Sequence, residues 1–219
     1  MLIEAWASLK NVKPKNRPND GSREPPAAFG GRSAEVDFHG DSRSKRTHAS
    51  MTAPEARILQ ERQRNGANLC FMRYGLMEHC YGLLVDACLT QADGHAERVT
   101  ALYMIEPRAD RRAIMLGADK ADDTEDFANG LRSMKVKPHV TQDTNCRRSV
   151  IDGRTTRHDG DADNLGICKR VEEGFGWIKT FAGQDKTKFH GRDWVGRAFI
   201  LAAAAYDLAR FLKLLAVST

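Results

Sequence analysis

The chain has 219 residues, 41% hydrophobic and 29% charged, which is enough for one domain with a real core or for a domain carrying a long arm. Lys and Arg exceed Asp and Glu by only 34 to 29, so net charge alone favours an anionic partner only slightly. No run of ~18 apolar residues is present, and MLIEAWASLK lacks the basic-then-apolar layout of a signal peptide. The expectation is a cytoplasmic protein with no membrane partner.

The placement of charge says more than its total. Lys10 to Arg64 contains 12 basic and 7 acidic residues, and that surplus of five equals the surplus of the whole chain. The five cysteines (Cys70, Cys80, Cys88, Cys146, Cys168) form no CxxC pair and no Cys/His cluster with zinc spacing. An odd number with irregular spacing suits a reducing compartment, where cysteine acts as a small apolar residue.

In chain order, residues 2–9 (LIEAWASL) read as a strand end or a short helix. From Asn11 to Ser50, Pro14, Pro18, Pro25, Pro26, Gly21, Gly30 and Gly31 punctuate a polar, basic stretch that cannot fold alone and reads as an extended arm. Residues 68–77 and 82–90 are apolar runs separated by Glu78, His79, Cys80 and Tyr81, which predicts an antiparallel hairpin. Val99, Leu102 and Ile105 give Ala96 to Ile105 helical spacing. Ala113 to Ala118 suits a buried strand ending at Asp119. Thr124 is placed to cap a helix through Leu131, and Lys137 to Thr141 reads as another short strand. A polar, Arg-rich loop from Gln142 to Asp163 precedes a helix from about Leu165 to Thr180. The last helix, Trp194 to Leu215, has a wide apolar face that predicts packing against the body. This order indicates α/β with a mixed sheet.

Two carboxylates stand where chemistry could use them. Asp119, in LGADKADDTEDF, directly follows a strand, a rigid support beside an open loop. Glu172, in KRVEEGFGWIKT, lies 53 residues later on a helix, and Lys179 follows two turns on, on the same face. A carboxylate and a lysine so arranged could hold a metal ion and the phosphate beside it. Spacing alone leaves the plainer readings open: a strand-end Asp is more often a turn or cap residue than a ligand, and a helical Glu is usually just solvated. Asp122, Asp123 and Asp126 read as helix-start acids.

Stretches along nearly the whole chain resemble, in collinear order, one family. They include LIEAWAS, GRSAEVDFHG, RSKRTHAS, LCFMRYGLMEHCYGLLVDACLTQA, LGADKADDTEDF, KVKPHVTQDTNCRRSVIDGRTTRH, KRVEEGFGWIKT and AAAAYDLARFLKLL. The family is the DDE transposases of bacterial insertion sequences, specifically the insertion-sequence-five group of the four-like superfamily. The resemblance implies an RNase H-like mixed sheet flanked by helices, in which three carboxylates hold two Mg²⁺ (or Mn²⁺) ions for phosphodiester cleavage and strand transfer. It makes Asp119 the second acid, Glu172 the third, and Lys179 a DNA contact near the cut. The partners it implies are DNA, as terminal inverted repeats and target, and further copies of the protein in a bacterial, nucleoid-associated setting.

Departures from the family pattern shape the expected activity. The family's first aspartate stands in an Asp-Gly-Thr context a few residues before its LIEAWAS equivalent, and here Met1 and Leu2 begin the chain. Glu4 is a poor substitute, because three residues along a strand its side chain points to the opposite face. After Asp119 the family has a glycine and then an aromatic, where this chain has Ala121 and Asp122. Cys168 occupies the place of an arginine four residues before Glu172. The expected organisation is a remnant of the first catalytic strand (1–10), a basic Pro/Gly-rich arm or insertion (11–66) and a catalytic domain (67–219), with activity impaired for want of the first acid. The alternative is a non-catalytic DNA-binding remnant. In it Arg147, Arg148, Arg154 and Arg157, with the arm around Lys45 and Arg46, hold phosphates without reading bases.

Overall fold

The computed structural model describes residues 1–9, 12–14, 48–59, 68–93, 96–109, 113–118, 122, 124–140 and 160–217. Its elements are β1 (Leu2–Glu4), β2 (Val12–Pro14), β3 (His48–Ser50), β4 (Arg57–Leu59), β5 (Asn68–Met77) and β6 (Leu84–Gln91). They are followed by α1 (Ala96–Ala109), β7 (Met115–Ala118), α2 (Glu125–Ser133), β8 (Lys137–Val140), α3 (Gly160–Thr180) and α4 (Arg192–Val217). The architecture is mixed α/β, as the order of apolar runs requires.

Strand β5 is the centre of the main sheet. Cys70 is paired with both Glu4 and Arg57, and Phe71 with both Ile3 and Gln91, so β1 holds one edge while β4 and β6 share the other end to end. All these pairings are antiparallel. The expected hairpin is therefore present, with its second strand starting at Leu84. Glu78 fixes its turn by accepting hydrogen bonds from the backbone N–H groups of Cys80 (2.8 Å), Tyr81 (2.7 Å) and Leu83 (3.2 Å).

Alternation along β5 assigns its two faces. Leu69, Phe71, Arg73, Gly75 and Met77 face α3 and α4, where Phe175 and Phe199 stack with centroids 6.0 Å apart. Gly75 allows the close approach there: a Cβ at this position would lie 2.9 Å from Leu84 Cδ2 and 3.3 Å from Phe175 Cζ, so those side chains would have to shift. The opposite face meets α1, through Cys88 Sγ near Met104 Sδ (4.0 Å) and the Arg108–Asp86 ion pair (3.0 Å). A register shift between Leu76 and Met77 places Val85 as the extra residue, which returns Leu84 to the α3/α4 side.

A parallel β7–α2–β8 unit stands as a separate two-stranded sheet with its crossover helix. Leu116, Phe127, Ala128, Leu131 and Val136 form its core with Ile105 and Ala109 of α1. Helix α2 ends in a Schellman motif: Val136 N–H bonds Leu131 O (2.9 Å) and Lys135 N–H bonds Arg132 O (3.0 Å). Lys135 holds the left-handed position at φ 59°, which glycine occupies at lower cost.

Several sequence expectations change in detail. Thr124 stands at the N-cap with extended backbone, as expected, but makes no capping bond, and its Oγ1 is buried without a hydrogen-bond partner among the described residues. Val99 is exposed, and Met104 takes its place in the interior of α1. The ends of the segment 11–66 are not free of structure: β2 pairs with β3, β4 joins the main sheet, and Val12, Ala53 and Ala56 enter a core with Ile3, Phe71 and Val195. Residues 15–47, including Lys45 and Arg46, lie outside the described residues. The wide apolar face of α4 packs only in part, because Val195, Phe199, Ala202, Ala203 and Tyr206 are buried while Leu201, Leu208 and Leu212 are exposed.

Candidate functional site

Helix α3 carries the one sequence-chosen carboxylate whose side chain is described. Phe175 and Ile178 bury one stripe of this helix against Leu84 and Phe199, and Gly174 lets Met77 and Tyr206 approach. Glu172 and Lys179, seven residues apart, flank that stripe on a common exposed face, as helical spacing requires. Glu172 makes no hydrogen bond or ion pair among the described residues, so its oxygens are open to water or a hard cation. The described partner of Lys179 is Asp185, at 2.8 Å, in an exposed pair of small energetic weight. Asp119 lies outside the described residues, and so do Arg147, Arg148, Arg154 and Arg157.

Among the described residues no group of three or more His, Cys, Asp or Glu side chains could hold a metal ion. Of the two carboxylates the sequence singled out, Glu172 alone lies among the residues whose side chains are described. Glu4 is committed elsewhere, pairing with Lys186 Nζ at 2.7 Å, while the same ammonium sits 5.6 Å from the centroid of Trp6.

The loop between α3 and α4 lines the outer edge of β1. Glu4 N–H bonds Asp185 O (3.1 Å), Thr187 N–H bonds Glu4 O (2.9 Å), and Glu4 bridges Lys186 in the parallel sense. This brings Asp185 and Lys186 beside the first strand, a grouping invisible in a sequence that separates them by about 180 residues. Beneath it Arg73 is fully buried, donating from Nη1 to Gln184 O (2.8 Å) and from Nη2 to Leu2 O (3.0 Å), with its guanidinium 5.6 Å from the Phe199 ring centroid. Burial pulls its pKa down to about 10, and nearby Asp185 partly opposes that shift. The signal for it was a single Arg in the apolar run of β5, at a position whose neighbours two residues away face the core. Burial likewise pushes the Cys88 thiol up to about 11, with Asp86 adding to the shift, which disfavours its thiolate.

No helix among the described residues is long and apolar enough to cross a membrane. Comparison of the chain with protein-family models, with characterised proteins and with solved structures returns no match.

Proposed function

We propose that this chain is a DDE-type transposase catalytic domain in which Asp119 and Glu172 are two of the acids that hold the metal pair. The observation that carries the reading is the packing of α3, with Glu172 on an open face, against β7, whose last residue Ala118 directly precedes Asp119 in sequence. An RNase H-like sheet is the finer reading of the mixed α/β architecture. An antiparallel hairpin, a helix, a parallel β–α–β unit and a carboxylate-bearing helix follow one another in the chain. The collinear motifs from LIEAWAS to AAAAYDLARFLKLL support the same reading.

Mg²⁺ or Mn²⁺ would supply Lewis acidity at the scissile phosphate, and Asp119 and Glu172 are the residues that would hold it. Lys179 on the same face of α3 would meet DNA phosphate, exchanging its exposed contact with Asp185 for it. The test is metal-dependent nicking of DNA carrying the element's terminal inverted repeats, with calorimetry of Mg²⁺ binding. Nicking and metal binding that disappear in Asp119→Ala and Glu172→Ala support the proposal. Absence of both from the parent chain, and also from a chain extended upstream with Asp-Gly-Thr, overturns it. Strongly salt-dependent DNA binding without nicking in either chain would select the non-catalytic DNA-binding reading instead.

A further inference from the structure

Helix α4 is apolar on far more of its circumference than it packs. Its buried stripe runs through Val195, Phe199, Ala202 and Tyr206. Beside that stripe, Trp194, Leu201, Leu208 and Leu215 recur every seven residues, all between 61% and 72% exposed. Ala198, Ala205 and Leu212 fall between them, so apolar residues alternate at steps of four and three over the length of the helix. That is the 3.5-residue repeat with which a helix seats another helix, and no charged residue interrupts it.

We infer that α4 is a self-association surface on which a second copy of this chain seats its own α4. The area fits that occupant. Ile200 and Phe211, 53% and 49% exposed, widen the seam on one side. The large side chains of the seam and this flank leave roughly 100 Å² each in water, or roughly 700 Å² together. A stable dimer covers ~800 Å² per partner, whereas monomeric proteins rarely leave more than a few hundred Å² of contiguous apolar surface in water. The repeat is straight and helical rather than concave, and a twofold pairing of identical seams satisfies both copies at once. Arg197, stacked 5.2 Å from the Trp194 ring centroid, and Lys213 stand at its rim.

Sedimentation or light scattering of the full chain across concentration tests the inference. The parent chain is expected to dimerise in the micromolar range or tighter. Leu201→Glu combined with Leu208→Glu, and separately Ala205→Arg, are expected to weaken the dimer at least tenfold each. All three side chains are exposed, so the fold survives, as an unchanged circular dichroism spectrum would show. Val99→Glu on α1, exposed but off the seam, is expected to leave the dimer intact. A parent chain that remains monomeric at about 100 μM overturns the inference. So does a dimer indifferent to the seam substitutions, or one that Val99→Glu dissociates equally well. None of these outcomes depends on whether the chain cleaves DNA.

Discussion

In α2, Phe127, Ala128 and Leu131 lie in the chain's own core, while Glu125, Asp126 and Arg132 face outward. In α4 one flank is equally well answered: Tyr206 Oη donates to Gly82 O (3.3 Å), Asp207 accepts from Leu84 N–H (2.8 Å) and Arg210 Nε donates to Tyr81 O (2.9 Å). The adjoining flank, from Trp194 to Leu215, is equally apolar, yet its large side chains at Trp194, Leu201, Leu208, Leu212 and Leu215 stay more than half exposed. The two helices use the same residue types with different outcomes. Apolar periodicity tells which residues seek burial, and only the surrounding strands tell whether this chain can bury them.

The largest difference should appear when a leucine is removed from each helix. Leu131 is fully buried, so Leu131→Ala is expected to cost about 3–4 kcal/mol in urea unfolding through lost burial and a residual cavity. Leu208→Ala, at a concentration low enough for the monomer, should change stability by less than about 0.5 kcal/mol. Equal losses would erase the contrast between the two helices.

A smaller effect probes the polar lock beside α4. Burial alone would push the Glu78 carboxyl up, but the backbone N–H groups of Leu83, Tyr81, Cys80 and Gly82 more than reverse that and hold it below its ordinary value of 4.5. The unfolded chain therefore binds more protons in that window, and stability rises with pH. Glu78 contributes fully above the unfolded value, and its contribution is lost as pH falls through the folded one. Glu78→Gln should cost about 1 kcal/mol at neutral pH. The gap between the two proteins should close on acidification below about pH 4.5, and a gap that widens would contradict this account of the turn.

The smallest effect sharpens the other side of the comparison. Lys135→Gly relieves a left-handed residue at the end of α2, against the extra entropy of glycine in the unfolded chain. A gain of about 0.5 kcal/mol is expected from thermal or urea melts. A loss would mean that the Lys135 side chain supports the motif in a way its backbone geometry does not reveal.

Long periodic elements were legible in the sequence: the hairpin, expected at 68–77 and 82–90 and found at 68–77 and 84–91, and all four helices to within a few residues at most ends. Strands of three residues were not, since β2, β3 and β4 are too short to carry a period and lie in or beside Pro- and Gly-rich sequence. β4 exists because β5 extends beyond the Phe71–Gln91 pair and leaves Asn68 to Cys70 an edge to fill, a condition set by a partner rather than by Arg57–Leu59. At the candidate site, the shared exposed face of Glu172 and Lys179 followed from helical geometry. The engagement of Lys179 by Asp185 and of Glu4 by Lys186 did not, because it arises from a loop closing on a strand far away in sequence.

That closure constrains how the protein can be made. Glu4 and Lys186 are 182 residues apart, yet the second edge of β1 is covered only when residues 184–187 arrive. At ~5–20 residues per second, synthesis separates the two partners by roughly 10–40 s. Through that interval β1 presents an unpaired edge, so the half-exposed Glu4, not yet joined by Lys186, keeps a bare charge there that opposes the addition of a foreign strand before the native one is available.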